Sequence, residues 1–165
     1  MTTPQIAAAP LQAPLNRLGA ILGTAVPDWL LLLIARLAIA SVFFLSGRTK
    51  VEGLLTITPS TYALFADEYR VPLLSPEAAA HLATYAEHAL PVLLAVGLLT
   101  RLSALALFGM TLVIQFIVGQ TPQGIENRIA NPDHYFWMLL FGVIILHGPG
   151  RISLDWLLMR WLGRA

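Results

Sequence analysis

Four apolar runs make up nearly half of this chain, and two of them hold a charge well away from their ends. The runs are Pro27–Ser46, Glu77–Leu99, Arg101–Val118 and His134–His147, with Arg36 inside the first and Glu87 inside the second. About 20 mainly apolar residues cross the ~30 Å hydrocarbon core of a bilayer as a helix. The first three runs meet or approach that length. The fourth, at about 14 residues, either crosses with tilt or local thinning or re-enters on the same side. A charge at membrane depth is tolerated only where it faces a partner or a cavity. The chain is therefore expected to bury a polar feature inside an apolar helical body.

Composition points the same way. Of 165 residues, 57% are hydrophobic and 12% charged, with a mean hydropathy of +0.73. Soluble domains are about a quarter charged, and a core of this size has no room for the apolar excess. Ten Lys and Arg against nine Asp and Glu give no reason to expect a nucleic acid partner. Cysteine is absent, which excludes disulfides and thiolate chemistry and leaves the compartment unread from cysteine usage. The opening MTTPQIAAAPLQAPL lacks the basic start and apolar core of a cleaved signal peptide.

The expected fold is all-α: an integral membrane four-helix bundle with an interfacial C-terminal helix. It divides into an N-terminal tail with a candidate interfacial helix (1–26, carrying Leu15, Leu18 and Leu22), a four-span domain (27–150) and an amphipathic C-terminal helix (151–165). Only Thr100–Arg101 separates the second and third runs, which forces an antiparallel hairpin. With both termini cytoplasmic, Arg17, Arg101, Arg151, Arg160 and Arg164 lie inside; Arg48, Lys50, Arg70 and Arg128 lie outside. That is the orientation the positive-inside rule favours. Trp29, Trp137, Trp156 and Trp161 fall near run ends, where indole suits the interface. After the last run, Ser153 is positioned to cap a helix with Leu154, Leu157, Leu158, Trp161 and Leu162 on one face. Between the first two runs, Thr58–Pro59 opens a short helix carrying Tyr62, Phe65 and Tyr69, a cap over the outer end of the bundle.

Three segments, RLAIASVFFLSGRTK, FADEYRVPLLSPEAAAHLATYAEHALPVLLAVGLLTRLSALALFGMTLVIQ and GPGRISLDWLL, resemble the DoxX family of small membrane proteins from about Arg36 to Leu158. The matching features run in order through Arg36, Gly47, Lys50, Glu87, Gly97 to Arg101, and Gly148 to Asp155. The resemblance implies a four-helix membrane bundle. It also implies an association with redox biology, since relatives include a subunit of a thiosulfate:quinone oxidoreductase and others are linked to oxidative or metal stress.

Helix rise of 1.5 Å per residue converts position into depth. Arg36 comes about 10 Å from the inner boundary and Glu87 about 15 Å from the outer one, within roughly one turn of each other. They are expected to form a buried ion pair, either structural or serving as a proton or ligand site. A second set gathers in the outer half: His81, Tyr85 and His88 on one face of the second helix, Gln115 on the third, and His134 and Trp137 on the fourth. Imidazole and amide donors beneath an aromatic rim suit a quinone head group or another planar ligand; the alternative is hydrogen bonding between helices. No spacing typical of a metal site, phosphate loop, nucleophile elbow or serine triad occurs.

The expected role is an accessory or anchor subunit of the inner (plasma) membrane, linked to redox metabolism or stress. It is not an enzyme by itself, but belongs beside a redox protein or complex in the lipid bilayer, with quinone as the candidate cofactor. Alternatives are a small transporter or channel, which would need a homo-oligomer to line a pore, and a membrane adaptor without chemistry.

Overall fold

In the computed structural model the described residues are Pro14 and 26–163; the Leu15, Leu18 and Leu22 helix expected of the N-terminal tail lies outside them. Helix α1 spans Asp28–Arg48. It starts behind Pro27, with Asp28 in its first turn and Arg48 in its last, each complementing the helix dipole. The Arg48 guanidinium donates at 2.8 Å to the carbonyls of both Gly53 and Leu54. These bonds clamp a small antiparallel hairpin, β1 (Val51–Glu52) and β2 (Thr56–Ile57), with Val51 opposite Ile57. The expectation of a purely helical chain did not include it. The hairpin exists because Gly53, at φ +63°, supplies the left-handed residue that the turn requires.

Helix α2 (Pro59–Asp67) follows, with Thr58 as its cap and Pro59 at its first position. Helix α3 (Pro76–Val96) repeats the arrangement with Ser75 and Pro76. It ends at Gly97, whose φ of 72° permits the Leu98 N–H to reach the Leu93 carbonyl at 2.9 Å and its own N–H the Leu94 carbonyl at 3.2 Å. Helix α4 (Thr100–Phe116) starts at once, so α3 and α4 form the tight antiparallel hairpin expected of Thr100–Arg101. A 3₁₀ turn (Val118–Gln120) and the short α5 (Pro122–Glu126) lead to α6 (Asp133–His147) and α7 (Leu154–Trp161).

The four longest helices pack around one core: α1 against α3, α3 against α4, α4 against α6, and α6 back against α1. Ile39, Ala40 and Phe43 of α1 meet Leu94, Ala104, Leu107, Phe141 and Ile144 there. A second, smaller core lies between α2 and α3, where Phe65 packs on Ala79 and Ala80. Among the described residues two stretches are long and apolar enough to cross a membrane, Asp28–Arg48 and Thr100–Gln120. Helix α6 has 15 residues, about 22 Å of rise and short of a full bilayer core. The side chains of Leu157, Leu158, Trp161 and Leu162 on α7 are all exposed, and Ser153 caps the helix by accepting from the Trp156 N–H at 3.1 Å.

Two ends can be distinguished. The cap end carries α2, the β hairpin and α5. The turn end carries Gly97–Arg101 and α7.

Candidate functional site

Arg36 and Glu87 are both buried, at 0% and 4% exposure, but the expected pair between them does not form. Helices α1 and α3 are staggered. A Cβ placed on Gly47 would lie 3.1 Å from the Cβ of Glu87 and 3.0 Å from the His88 ring, so Gly47 is the α1 neighbour of Glu87. Arg36 sits eleven residues earlier on α1, about 16 Å of rise away. Counting depth from the start of each apolar run assumed that both helices begin at a membrane face. Instead, the first turns of α3 continue past the end of α1 and pack against α2, while the first turns of α1 run past Gly97.

The partner of Glu87 is Lys50, whose Nζ lies 2.6 Å from Oε2. Lys50 also donates to the Ser46 hydroxyl at 3.0 Å and to the Ser46 carbonyl at 3.2 Å. The Lys50 carbonyl accepts from the Thr61 hydroxyl at 2.9 Å and from the Thr58 N–H at 3.2 Å, so the cap helix α2 is tied to the residue that neutralises Glu87. Side-chain exposures of 12% for Lys50 and 5% for Glu87 mean that little water screens the pair. Sequence reasoning had put Lys50 among the outside charges. The available signal was its i, i+4 spacing from Ser46 just beyond the first apolar run.

His88 adjoins this pair. Its Nδ1–H donates to the Thr84 carbonyl at 2.7 Å, which leaves Nε2 as a lone-pair acceptor in the neutral ring. Nε2 is buried and has no partner among the described residues, and neither does the Thr84 hydroxyl. The Phe44 ring meets His88 edge-on, with centroids 5.7 Å apart. Glycine at position 47 lets this imidazole lie close against α1, where a Cβ would meet the ring at 3.0 Å.

Tyr69, just beyond α2, lies near enough to feel the pair. Burial pushes its phenol above the ordinary tyrosine value, and the negative charges of Glu87 and then Glu68 push it further.

Arg36 serves the opposite end. Its guanidinium donates to the Leu94 carbonyl at 3.3 Å, to the Ala95 carbonyl at 3.4 Å and to the Ile152 carbonyl. A cation is favourable at the C-terminus of α3, where carbonyls lack helical partners. Asp155 completes the latch from α7: its carboxylate accepts from the Leu99 and Thr100 N–H groups, each at 2.8 Å, and its own N–H donates to the Gly97 carbonyl at 2.8 Å. This capping role for Asp155 was not foreseen.

The six residues expected to converge on a planar ligand separate into unconnected groups. His81 accepts from the Tyr62 hydroxyl at 3.3 Å and donates to the Glu77 carbonyl at 2.9 Å. Tyr85, its ring 5.9 Å from His81, is 45% exposed. His88 faces Gly47 and Phe44. Gln115, His134 and Trp137 stand together between α4 and α6, where the Gln115 carbonyl oxygen accepts from His134 Nδ1–H at 2.6 Å and from the Asn131 N–H at 2.9 Å. Trp137 packs on His134 at 4.8 Å and on Phe43 at 5.5 Å. No hydrogen bond or ring contact among the described residues joins this group to His81, Tyr85 or His88. Gln115 and His134 do meet, but counting depth says nothing about helix rotation. The Gln115–His134 pair is occupied in holding the loop before α6.

The apolar helices suit a small membrane protein. The DoxX family model matches residues 31–120, more than half of the chain, and the protein belongs to that family. No curated protein and no solved structure matches it.

Proposed function

We propose that this protein is an integral membrane accessory subunit that serves a redox partner beside the quinone pool of the inner membrane. In this reading α1, α3, α4 and α6 all cross, both termini are cytoplasmic, and α7 lies along the interface with its leucines and Trp161 in the lipid. The observation that carries it is the Lys50–Glu87–His88 centre. It is a neutralised ion pair with an adjacent, unpartnered imidazole acceptor, built into an otherwise apolar body and roofed by α2. Apolar residues at these positions would pack without any desolvation cost, so a site that keeps charge there fits a role in handling a polar molecule or proton within the membrane.

The test is affinity purification from native membranes in mild detergent, followed by protein mass spectrometry and organic extraction. A stoichiometric redox protein and an enriched quinone are expected. Recovery of neither, together with ion flux through protein reconstituted in liposomes, would replace this reading with transport.

A further inference from the structure

The turn end holds an open cavity of about 370 Å³ between the start of α1 and the loop that joins α6 to α7. Pro27, Asp28, Trp29 and Leu32 wall it on one side, Gly150 and Arg151 on the other. Gly150 lets the loop rest on α1. Its φ is +74°, and a Cβ there would lie 3.3 Å from the Leu32 Cβ and 3.6 Å from the Trp29 carbonyl oxygen. The volume falls within the range of small-molecule sites, about 300–1,000 Å³.

Its charges and its depth identify what it can hold. One carboxylate and one guanidinium line the same cavity. Among the described residues the one salt bridge is Lys50–Glu87, so Asp28 and Arg151 neutralise neither each other nor any third described group. A cavity with unpaired charges of both signs suits an occupant that carries both. Helix α1 has 21 residues, a rise of about 31 Å that matches the ~30 Å hydrocarbon core. A crossing α1 therefore puts its first turn at the membrane boundary, where the indole of Trp29 is favoured. Leu31 and Ile34, next along α1, are both more than half exposed and meet acyl chains in that placement. The cavity then lies level with the lipid headgroups.

We propose that this cavity binds the zwitterionic headgroup of phosphatidylethanolamine, with the phosphate on Arg151 and the ammonium on Asp28. Guanidinium is the side chain best matched to a phosphate, which it can grip through two parallel N–H bonds. The primary ammonium of the lipid donates charge-assisted hydrogen bonds to the carboxylate. A choline headgroup has the same charges but no N–H to donate. A glycerol headgroup supplies the phosphate without a cation, and its net negative charge opposes Asp28. Selectivity therefore comes from Asp28, and general phospholipid affinity from Arg151. The inference needs α1 to cross the membrane but not the redox role proposed above.

The experiment is native mass spectrometry of the full chain, delipidated in mild detergent and titrated with phosphatidylethanolamine, phosphatidylcholine and phosphatidylglycerol of matched acyl chains. The ethanolamine lipid is expected to bind about ten-fold more tightly than either of the others, the equivalent of one charge-assisted hydrogen bond. Asp28→Asn should remove that preference, and Arg151→Gln should weaken all three lipids. Asp133→Asn, an acid in the first turn of α6 at the cap end, should change nothing. Circular dichroism checks that each variant is folded. Equal binding of the ethanolamine and choline lipids, a preference that survives Asp28→Asn, or binding indifferent to Arg151→Gln would each overturn the site. Excess soluble phosphoethanolamine should not displace the lipid; displacement would assign the cavity to a soluble ligand instead. Copurification of a redox partner tests the accessory-subunit reading independently, so failure here overturns this site alone.

Discussion

Glu87 is neutralised by Lys50, 2.6 Å away, and not by Arg36, although all three are buried or nearly so. The consequence is two independent polar centres, one at each end of the α1–α3 seam. The Lys50–Glu87 pair ties the cap to the helices, and Arg36 with Asp155 ties α7 to the α3–α4 turn.

A mutant cycle separates these centres. Removing one member of a buried pair leaves the other charge uncompensated, at a cost of about 3–5 kcal/mol. Lys50→Met and Glu87→Leu should each lower detergent stability by that order, and the double variant should lose clearly less than the sum. Arg36→Met combined with Glu87→Leu should be additive within about 0.5 kcal/mol. Chemical denaturation in mild detergent provides the measurement, and coupling between Arg36 and Glu87 would contradict the geometry.

Asp155 caps a helix that is distant in sequence. Asp155→Ala removes both acceptors from the first N–H groups of α4 and should destabilise the protein by about 1–2 kcal/mol. Asp155→Asn retains one acceptor and should lose less. Limited proteolysis should cut between Gly148 and Leu154 faster in the alanine variant; unchanged protection would show that α7 is held by other contacts.

Tyr69 gives a pH readout of the cap. Its folded pKa lies above the ordinary tyrosine value of about 10, so the neutral phenol is favoured in the folded state. The resulting contribution to stability is fully present below about pH 10 and is lost as pH rises through the folded value. Phenolate absorbance, compared between the native chain and Tyr69→Phe, should show one tyrosine titrating late. In Glu87→Gln that titration should shift to lower pH, because one of the negative charges opposing ionisation is gone. A late titration indifferent to Glu87→Gln would leave burial and Glu68 as its sole causes.

Topology follows from the proposed crossings. Single cysteines at Ser60 and Gln123 should react with an impermeant reagent from outside, and those at Ala7 and Ala165 should not. Labelling of Ala165 from outside would mean that the 15-residue α6 does not cross.

Local chemistry made much of this fold legible in the chain. Thr58–Pro59 marks a helix start because a hydroxyl cap followed by proline satisfies the first turn wherever it occurs. Gly97 marks a stop because few other residues adopt its φ without strain. Burial of Arg36 and Glu87 was readable from the apolar residues around them, and Ser153 announced α7. These features depend only on neighbours a few residues away. Which charge meets which depends instead on the stagger and rotation of two helices, and one-dimensional depth holds neither. Side-chain volume sets that stagger: glycine at position 47 admits His88 and Glu87, and Phe65 of α2 packs on Ala79 and Ala80 near the start of α3. Only the packed structure therefore placed Lys50 beside Glu87, sent Arg36 to the carbonyls that end α3, and left the Nε2 of His88 without a partner.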